Sequence, residues 1–382
     1  MWLFIHRPFE VWPWLAALRI ERVYIFITLA YWATQPKAWF SLRSHWPVFL
    51  LAGIYLVASQ FSPFATFETV EDWFKVFVFY LLLVTSIRTE GELRIIILGY
   101  VAVMGLYELH SLGEYLNGRG EYRMGTWRMV GVDATMSDPN TFGASVNYGL
   151  PFLYPAWSLA RERWQKLAIL ALAGVAVICI LLTGSRSCFA ALLVLLAFGG
   201  LASKYRWRLL VAIVAILPLI WVSLRPDLQD RYLTLIDPSR GPENAQNSAE
   251  SRTQSFWEGM ESFAENPLFG AGLGSYKHKT GFQTHNLYNQ AMGELGIFGL
   301  AVLIGFAWCF AANYREARQL VQVDDVDGAF LYRICLAGLL SCSLLFFLGW
   351  GGHNLSRYNW LWFGAFTSLA VHFLRQRTVH AA

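Results

Sequence analysis

Apolar residues in this chain fall into long, nearly continuous blocks separated by polar connections. The blocks cover residues 46–62, 73–87, 95–112, 142–159, 167–183, 188–203, 209–224, 296–313, 331–350 and 360–374. Each is close to the ~20 residues that an α-helix needs to cross the hydrocarbon core of a bilayer. Nearer the N-terminus, residues 11–20 and 23–34 form two shorter blocks parted by Arg19 and Arg22. These read either as one tilted span or as an interfacial segment followed by a short span. The pattern predicts an all-α fold, a polytopic transmembrane helical bundle of about 11–12 spans.

The connections then orient the bundle. Lys37 and Arg43, Arg88 and Arg94, Arg161, Arg163 and Lys166, Lys204, Arg206 and Arg208, Arg315, Arg318 and Arg333, and Arg375 and Arg377 occupy alternate connections, whereas residues 62–70 hold no Lys or Arg. Cytoplasmic loops carry the excess of Lys and Arg, so these connections and the C-terminus are expected inside. Residues 117–140, 184–187, 225–295 and 351–358 then share the opposite, periplasmic or extracytoplasmic face. The expected location is the bacterial inner (plasma) membrane, with the polar groups of interest facing outward.

Composition agrees with this reading: 56% of residues are hydrophobic, 15% are charged and the mean hydropathy is +0.40, outside the balance of a soluble domain. The net charge of +4 is accounted for by the inward-facing loops. No basic stripe with stacking aromatics suggests a nucleic-acid partner. Seventeen tryptophans and seventeen tyrosines suit belts at the two membrane interfaces. Cys179, Cys188, Cys309, Cys335 and Cys342 lie in or beside apolar blocks without paired spacing, so they read as small buried hydrophobes. No cleavable signal peptide is evident.

Within what reads as a single integral membrane domain, residues 1–382, the only sizeable polar region is 225–285. It is long for a connector and too polar to bury a large core of its own. Residues 237–248 are rich in Pro, Gly, Ser and Asn and read as turn or mobile chain. Ser251 and Gln254 have capping-box spacing. Phe256, Met260 and Phe263 then recur at helical intervals, predicting an amphipathic helix that starts near Ser251 and ends near Asn266-Pro267. Such a helix would lie along the outer membrane surface, with Arg252 in its first turn on the side of Phe256. The glycines at 270, 272 and 274 follow no strand, so they predict a tight connection and not a nucleotide-binding loop.

Several outward-facing residues have chemistry to offer. Arg186 stands at the mouth of an apolar block, where a charge either serves a ligand or snorkels to the interface. Arg252 is either an anion-binding group or a solvated loop charge. His285 titrates near neutral pH and suits proton transfer, although a capping histidine would look the same. Asn286 beside it orients that imidazole or a sugar hydroxyl, or caps the re-entering helix. His353, Asn354 and Arg357 form a second outward cluster, which reads as an interfacial cap or as an acceptor path. Arg119, Arg123 and Arg128 either extend an anionic site or are ordinary loop charges. Asp138-Pro139 marks a helix start. Asp324, Asp325 and Asp327 read as a solvated cytoplasmic loop. His278 precedes His285 by seven residues, but no cysteine or carboxylate set completes a metal shell, so neither metal nor cofactor is expected.

Four of these elements recur in order: Gly184-Ser185-Arg186-Ser187, Arg252 with Trp257, Asn266-Pro267-Leu268-Phe269-Gly270-Ala271-Gly272, and His285-Asn286 followed after nine residues by Gly296-Ile297-Phe298-Gly299. Over roughly residues 136–373 the chain resembles the O-antigen ligase/polymerase superfamily of polytopic glycosyltransferases. The N-terminal third agrees only in hydropathy. The resemblance implies a metal-independent, inverting transfer of a glycan from an undecaprenyl-diphosphate carrier to an acceptor hydroxyl. His285 would be catalytic, Arg186 and Arg252 would bind the diphosphate, and Asn286 would support. His353 and Arg357 are candidates for the acceptor path. Ligase-type transfer, with lipid A-core as one candidate acceptor, stands beside repeat-unit polymerisation and glycan transfer to protein. A different class, a transporter or flippase of lipid-linked glycans, would use the same spans and cations, but predicts paired internal repeats that are not evident.

Overall fold

The computed structural model describes every residue except 124, 203–206, 208–210, 212–214, 216–217, 219–220, 238–243, 282–285, 323–324 and 382. The chain is mostly helical. Near the N-terminus are α1 (Trp2–Ile5), α2 (Pro8–Val11), α3 (Pro13–Ala17) and α4 (Ile20–Thr34). The polar pair at Arg19 and Arg22 does break the two N-terminal blocks: Arg19 lies in the left-handed region at φ 46°, and α4 begins after it. The two blocks do not form one continuous helix; short helices precede the 15-residue α4.

Further along lie α5 (His45–Phe61), α6 (Phe67–Ser86), α7 (Glu90–Leu116), α8 (Pro139–Gly149), α9 (Leu153–Leu159), α10 (Arg163–Leu182) and α11 (Arg186–Ala202). After them come α12 (Pro226–Leu233), α13 (Asn244–Glu265), α14 (Ser275–Thr280), α15 (Glu294–Leu320), α16 (Val326–Gly349) and α17 (Tyr358–Ala381). The sheet content among the described residues is one small antiparallel ladder, β1 (Glu121–Arg123) with β2 (Thr126–Arg128), pairing Tyr122 with Trp127. Hydropathy did not anticipate it, since three-residue strands carry no periodic signal.

Four described helices are long and apolar enough to cross a membrane: Glu90–Leu116, Arg163–Leu182, Asn289–Leu320 and Val326–Gly349. Arg186–Gly199 is apolar but shorter. The blocks expected at 46–62, 73–87, 142–159 and 360–374 are helical too, but shorter, interrupted or more polar. The interruption in 142–159 is a tight turn at Leu150–Phe152 that contains Pro151, which cannot donate to a continuing helix. Most of the block at 209–224 lies outside the described residues.

Local signals set several helix starts. The Thr89 hydroxyl accepts from Glu92 N at 3.2 Å and the Glu92 carboxylate accepts from Thr89 N at 3.1 Å, a reciprocal cap that opens α7. Asp138 accepts from Thr141 N at 2.8 Å with Pro139 in the first position, as expected for the start of α8.

The centre of the bundle is α17. Trp360, Trp362, Phe363, Phe366 and Leu369 are all fully buried, and a helix that is buried on every side belongs to a core. It packs against α15, α16, α6 and α7. Phe152 sits 4.6 Å from Phe363, ring centre to ring centre, with Tyr100 at 5.6 Å from the same ring. All five cysteines are buried and unpaired, as their positions predicted.

The end of the bundle expected on the cytoplasmic side is tied by ion pairs. Arg377 of α17 reaches Glu90 at 2.5 Å, Asp325 at 3.1 Å and Asp327 at 3.3 Å, and Arg94 reaches Asp327 at 2.6 Å. Glu316 pairs with both Arg43 and Arg375. The expectation of a merely solvated loop is therefore corrected for Asp325 and Asp327, which join α7, α16 and α17. Asp324 lies outside the described residues.

Candidate active site

The helix α13 is longer than its sequence pattern predicted. It starts at Asn244, so Ser251 and Gln254 lie inside it and do not cap it; Gln254 instead donates to Glu258 at 2.9 Å. Among its described side chains Ser255 and Gly259 are the buried positions, and with Ser262 they form a small-residue stripe. That stripe lies on a π-helical turn, Asn289–Gly293, which leads into α15. Asn289 donates to Ser255 O at 2.5 Å, and Ser262 donates to Gly293 O at 3.2 Å. A Cβ on Gly259 would stand 2.6 Å from Asn289 Cγ, so close backbone approach requires glycine there. Phe256 does not face lipid headgroups alone; its ring lies 5.2 Å from that of Trp350.

This docking brings Arg252 to two other segments. Its Nη1 donates to Ser187 Oγ at 3.4 Å, across 65 residues of sequence. Its guanidinium also lies over Gly351, where a Cβ would be 3.1 Å from Arg252 Cζ. Asn286 meets the same place, donating from Nδ2 to Trp350 O at 3.4 Å. Residues from two of the four sequence motifs thus meet the turn after α16, and Ser187, from a third, joins them through Arg252. Burial, with Arg186 adding to it, holds the Arg252 guanidinium below its ordinary value, yet arginine stays charged at neutral pH.

Arg186 opens α11, half-buried, and donates to Thr234 Oγ1 at 3.0 Å. Two further arginines stand close by, Arg128, which sequence left either as part of an anionic site or as an ordinary loop charge, and Arg231, which it did not single out. Arg128 is buried, donating from Nε to Thr183 O at 2.6 Å and from Nη2 to Asn140 Oδ1 at 2.9 Å. Arg231 donates from Nε to Gly184 O at 2.6 Å. Its guanidinium is pushed down to about 10 by burial, then by Arg128 and Arg186. The result is a basin of cations, with Arg123 paired to Asp138 at 3.4 Å on one side. No local periodicity marks Arg231; only the fold of α12 against α10 reveals it. Arg119 is used differently, bonding Val132 O at 2.7 Å.

The third and fourth motifs interlock through backbone. Ala271 N donates to Gly293 O at 2.8 Å, Gly272 N to Glu294 O at 3.2 Å and Ile297 N to Pro267 O at 2.8 Å. Gly296 breaks α15 with φ 66° and ψ −148°, a region open essentially to glycine. That break admits the 266–272 turn. Gly299 does pack closely, against Ala291 O.

His285 lies outside the described residues. Asn286 is described: it is buried, and its Oδ1 accepts from Tyr288 N at 2.9 Å and Asn289 N at 3.1 Å. Of the two sequence readings, the cap on the re-entering helix is the one these bonds display. Arg357 donates from Nη1 to Met136 Sδ at 3.8 Å. Burial lowers it, while Tyr148, Tyr358 and Asp133 act to raise it. Next to it Asn354 bonds Tyr148 Oη at 3.0 Å. His353 is half-buried in the same turn. His278 stacks on Phe64 at 4.4 Å. Among the described residues no cluster of three His, Cys, Asp or Glu could hold a metal ion.

The fold and this basin define a helical membrane protein with a cationic, multi-segment site. Residues 168–304 match the family model described as O-antigen ligase, which covers Arg186, Arg252 and the His285–Gly299 signature. The match bears out the resemblance to the O-antigen ligase/polymerase superfamily and supports a membrane enzyme of that type. No curated protein matches the chain.

Proposed function

We propose that the protein is an inner-membrane glycosyltransferase that moves a glycan from an undecaprenyl-diphosphate carrier to an acceptor hydroxyl, with ligase-type transfer to lipid A-core as the leading case. The observation that carries this reading is the meeting of Arg252, Ser187 beside Arg186, and the Asn286-contacting turn at Trp350–Gly351. A bundle of about 11 crossings would set residues 225–285 and this basin on the periplasmic side. The donor would enter from the lipid and lay its diphosphate against Arg186 and Arg252, whose planar forks match phosphate oxygens.

The acceptor oxygen then attacks the anomeric carbon. As that bond forms, the bond from carbon to the diphosphate oxygen breaks and its electron pair leaves with the diphosphate. His285 takes the hydroxyl proton. Attack from the side opposite the leaving group inverts the anomeric centre. Because a diphosphate is already a good leaving group, two fixed cations supply the charge stabilisation without a metal. His353 and Arg357 would border the acceptor's approach. Repeat-unit polymerisation or transfer to protein would use the same step with another acceptor.

The test uses protein in nanodiscs, an undecaprenyl-diphosphate-linked oligosaccharide and a panel of lipid, glycan and peptide acceptors, read by mass spectrometry. Wild type is expected to form a glycosidic product. Arg186→Ala and Arg252→Ala should each lose on the order of 100-fold in rate, the usual scale for a lost charge-stabilising donor, and His285→Ala at least as much. Donor translocation without any product, unaffected by His285→Ala, would instead identify a flippase.

A further inference from the structure

A helix leaves its last carbonyls without partners inside the helix, and its C-terminal end carries partial negative charge. At the end of α10 and in the turn just beyond it, four successive carbonyls accept from elsewhere in the chain. Leu181 O accepts from Tyr232 Oη at 2.8 Å, Leu182 O from Met129 N at 2.9 Å, Thr183 O from Arg128 Nε at 2.6 Å and Gly184 O from Arg231 Nε at 2.6 Å. Gly184 itself turns at φ 59°, and a Cβ there would meet Leu228 Cδ2 at 2.9 Å and Arg231 Cδ at 3.2 Å. Two residues later stands Arg186. Its partner Thr234 bonds back to Arg231 O at 2.7 Å. The same short helix therefore grips both the turn and the side chain that the turn presents.

We propose that Arg231 and Arg128 are positioning residues for Arg186. They splint the Thr183–Gly184 turn between the hairpin β1–β2 and α12, and so aim the Arg186 guanidinium at an anionic ligand of the diphosphate class. Arg128 serves from full burial and touches no ligand. Charge assistance makes both bonds stronger than those between neutral groups, and a cation at a helix C-terminus is favoured by the helix dipole. Their cost is repulsion within a crowded set of cations. A site with that cost is relieved by an anion bound nearby. This inference rests on the reading of Arg186 as a diphosphate group.

A double-mutant cycle tests it, with undecaprenyl diphosphate as the probe and native mass spectrometry giving its dissociation constant. If Arg231 acts through Arg186, Arg231→Gln weakens binding about tenfold in the wild-type background and less than about twofold in Arg186→Ala, since residues that work as a unit are not additive. Arg231→Lys, which can still donate one bond to Gly184 O, should recover part of the loss. Should the glutamine variant fail to fold, the lysine variant runs the same cycle. Equal fold-changes in both backgrounds, or no change in either, overturn the positioning role while leaving the transferase reading intact. Failure of the wild type to bind the probe overturns the diphosphate reading itself, and this inference with it.

Discussion

Gly296 offers a sharp test of how the site is built. It lies inside a membrane-length helix at φ 66° and ψ −148°, and a methyl group there would stand 2.5 Å from Leu268 O, 2.6 Å from Leu268 C and 2.7 Å from Gly270 N. All three are backbone atoms, so no rotamer change can relieve the clash. Alanine forced into this region costs about 1–3 kcal/mol of backbone strain, and overpacking adds about 1–3 kcal/mol. Gly296→Ala should therefore destabilise the protein by about 2–6 kcal/mol. The 266–272 turn would be driven off α15, loosening the bond from Ile297 N to Pro267 O. Unfolding in mixed micelles, followed by tryptophan fluorescence, measures the change. Gly53→Ala is the control, because a Cβ there meets nothing within 4 Å. Helix propensity predicts a gain of up to about 1 kcal/mol for it. A Gly296→Ala protein within about 1 kcal/mol of wild type would refute the reasoning, since the strain and the clash would then be absent.

Other expectations follow from the same physics. His6 stacks on His110 with its Nε2 2.9 Å from His110 Nδ1, and Trp12 stacks on both rings. Burial first, then His110, lowers His6 below the ordinary 6.5, with Asp133 opposing. The unfolded segment takes up a proton before the docked one, so docking stability present above pH 6.5 is lost as pH falls below it. Hydrogen-exchange protection factors across residues 1–17, taken relative to intrinsic exchange at each pH, should fall in acid and His6→Phe should flatten that dependence; protection equal at neutral and acid pH contradicts it. At the other end, the half-exposed Arg377 joins Glu90, Asp325 and Asp327. A cycle of Arg377→Gln with Glu90→Gln should show coupling of about 0.5–1 kcal/mol that shrinks in high salt. Salt-independent coupling would argue against an ion-pair origin.

Local signals reached a good part of this. The helical class, the start of α8 at Asp138 and the buried cysteines all follow from neighbouring residues alone. Errors arose where a local pattern competed with a distant partner. The capping-box spacing at Ser251 is real, but α13 continues through it. The aromatic recurrence at Phe256, Met260 and Phe263 predicted a helix along the membrane surface, but not the tight contact made by Ser255 and Gly259, whose small side chains let Asn289 approach. Asp325 and Asp327 looked solvated until α17 returned Arg377 to them.

The order of motifs was equally legible: Gly184–Ser187, Arg252, the 266–272 turn and the His285–Gly299 signature can be read directly along the chain. Hydropathy and spacing act over a few turns of helix, so sequence determined which segments are helical and which residues carry suitable chemistry. It could not assign Arg231 or Arg128, whose bonds reach Gly184 and Thr183 across 47 and 55 residues. Nor could it show that Gly296 breaks a helix to admit Leu268. Those facts depend on which backbone carbonyls and side chains the packed bundle brings within about 3 Å, a condition that only tertiary structure decides.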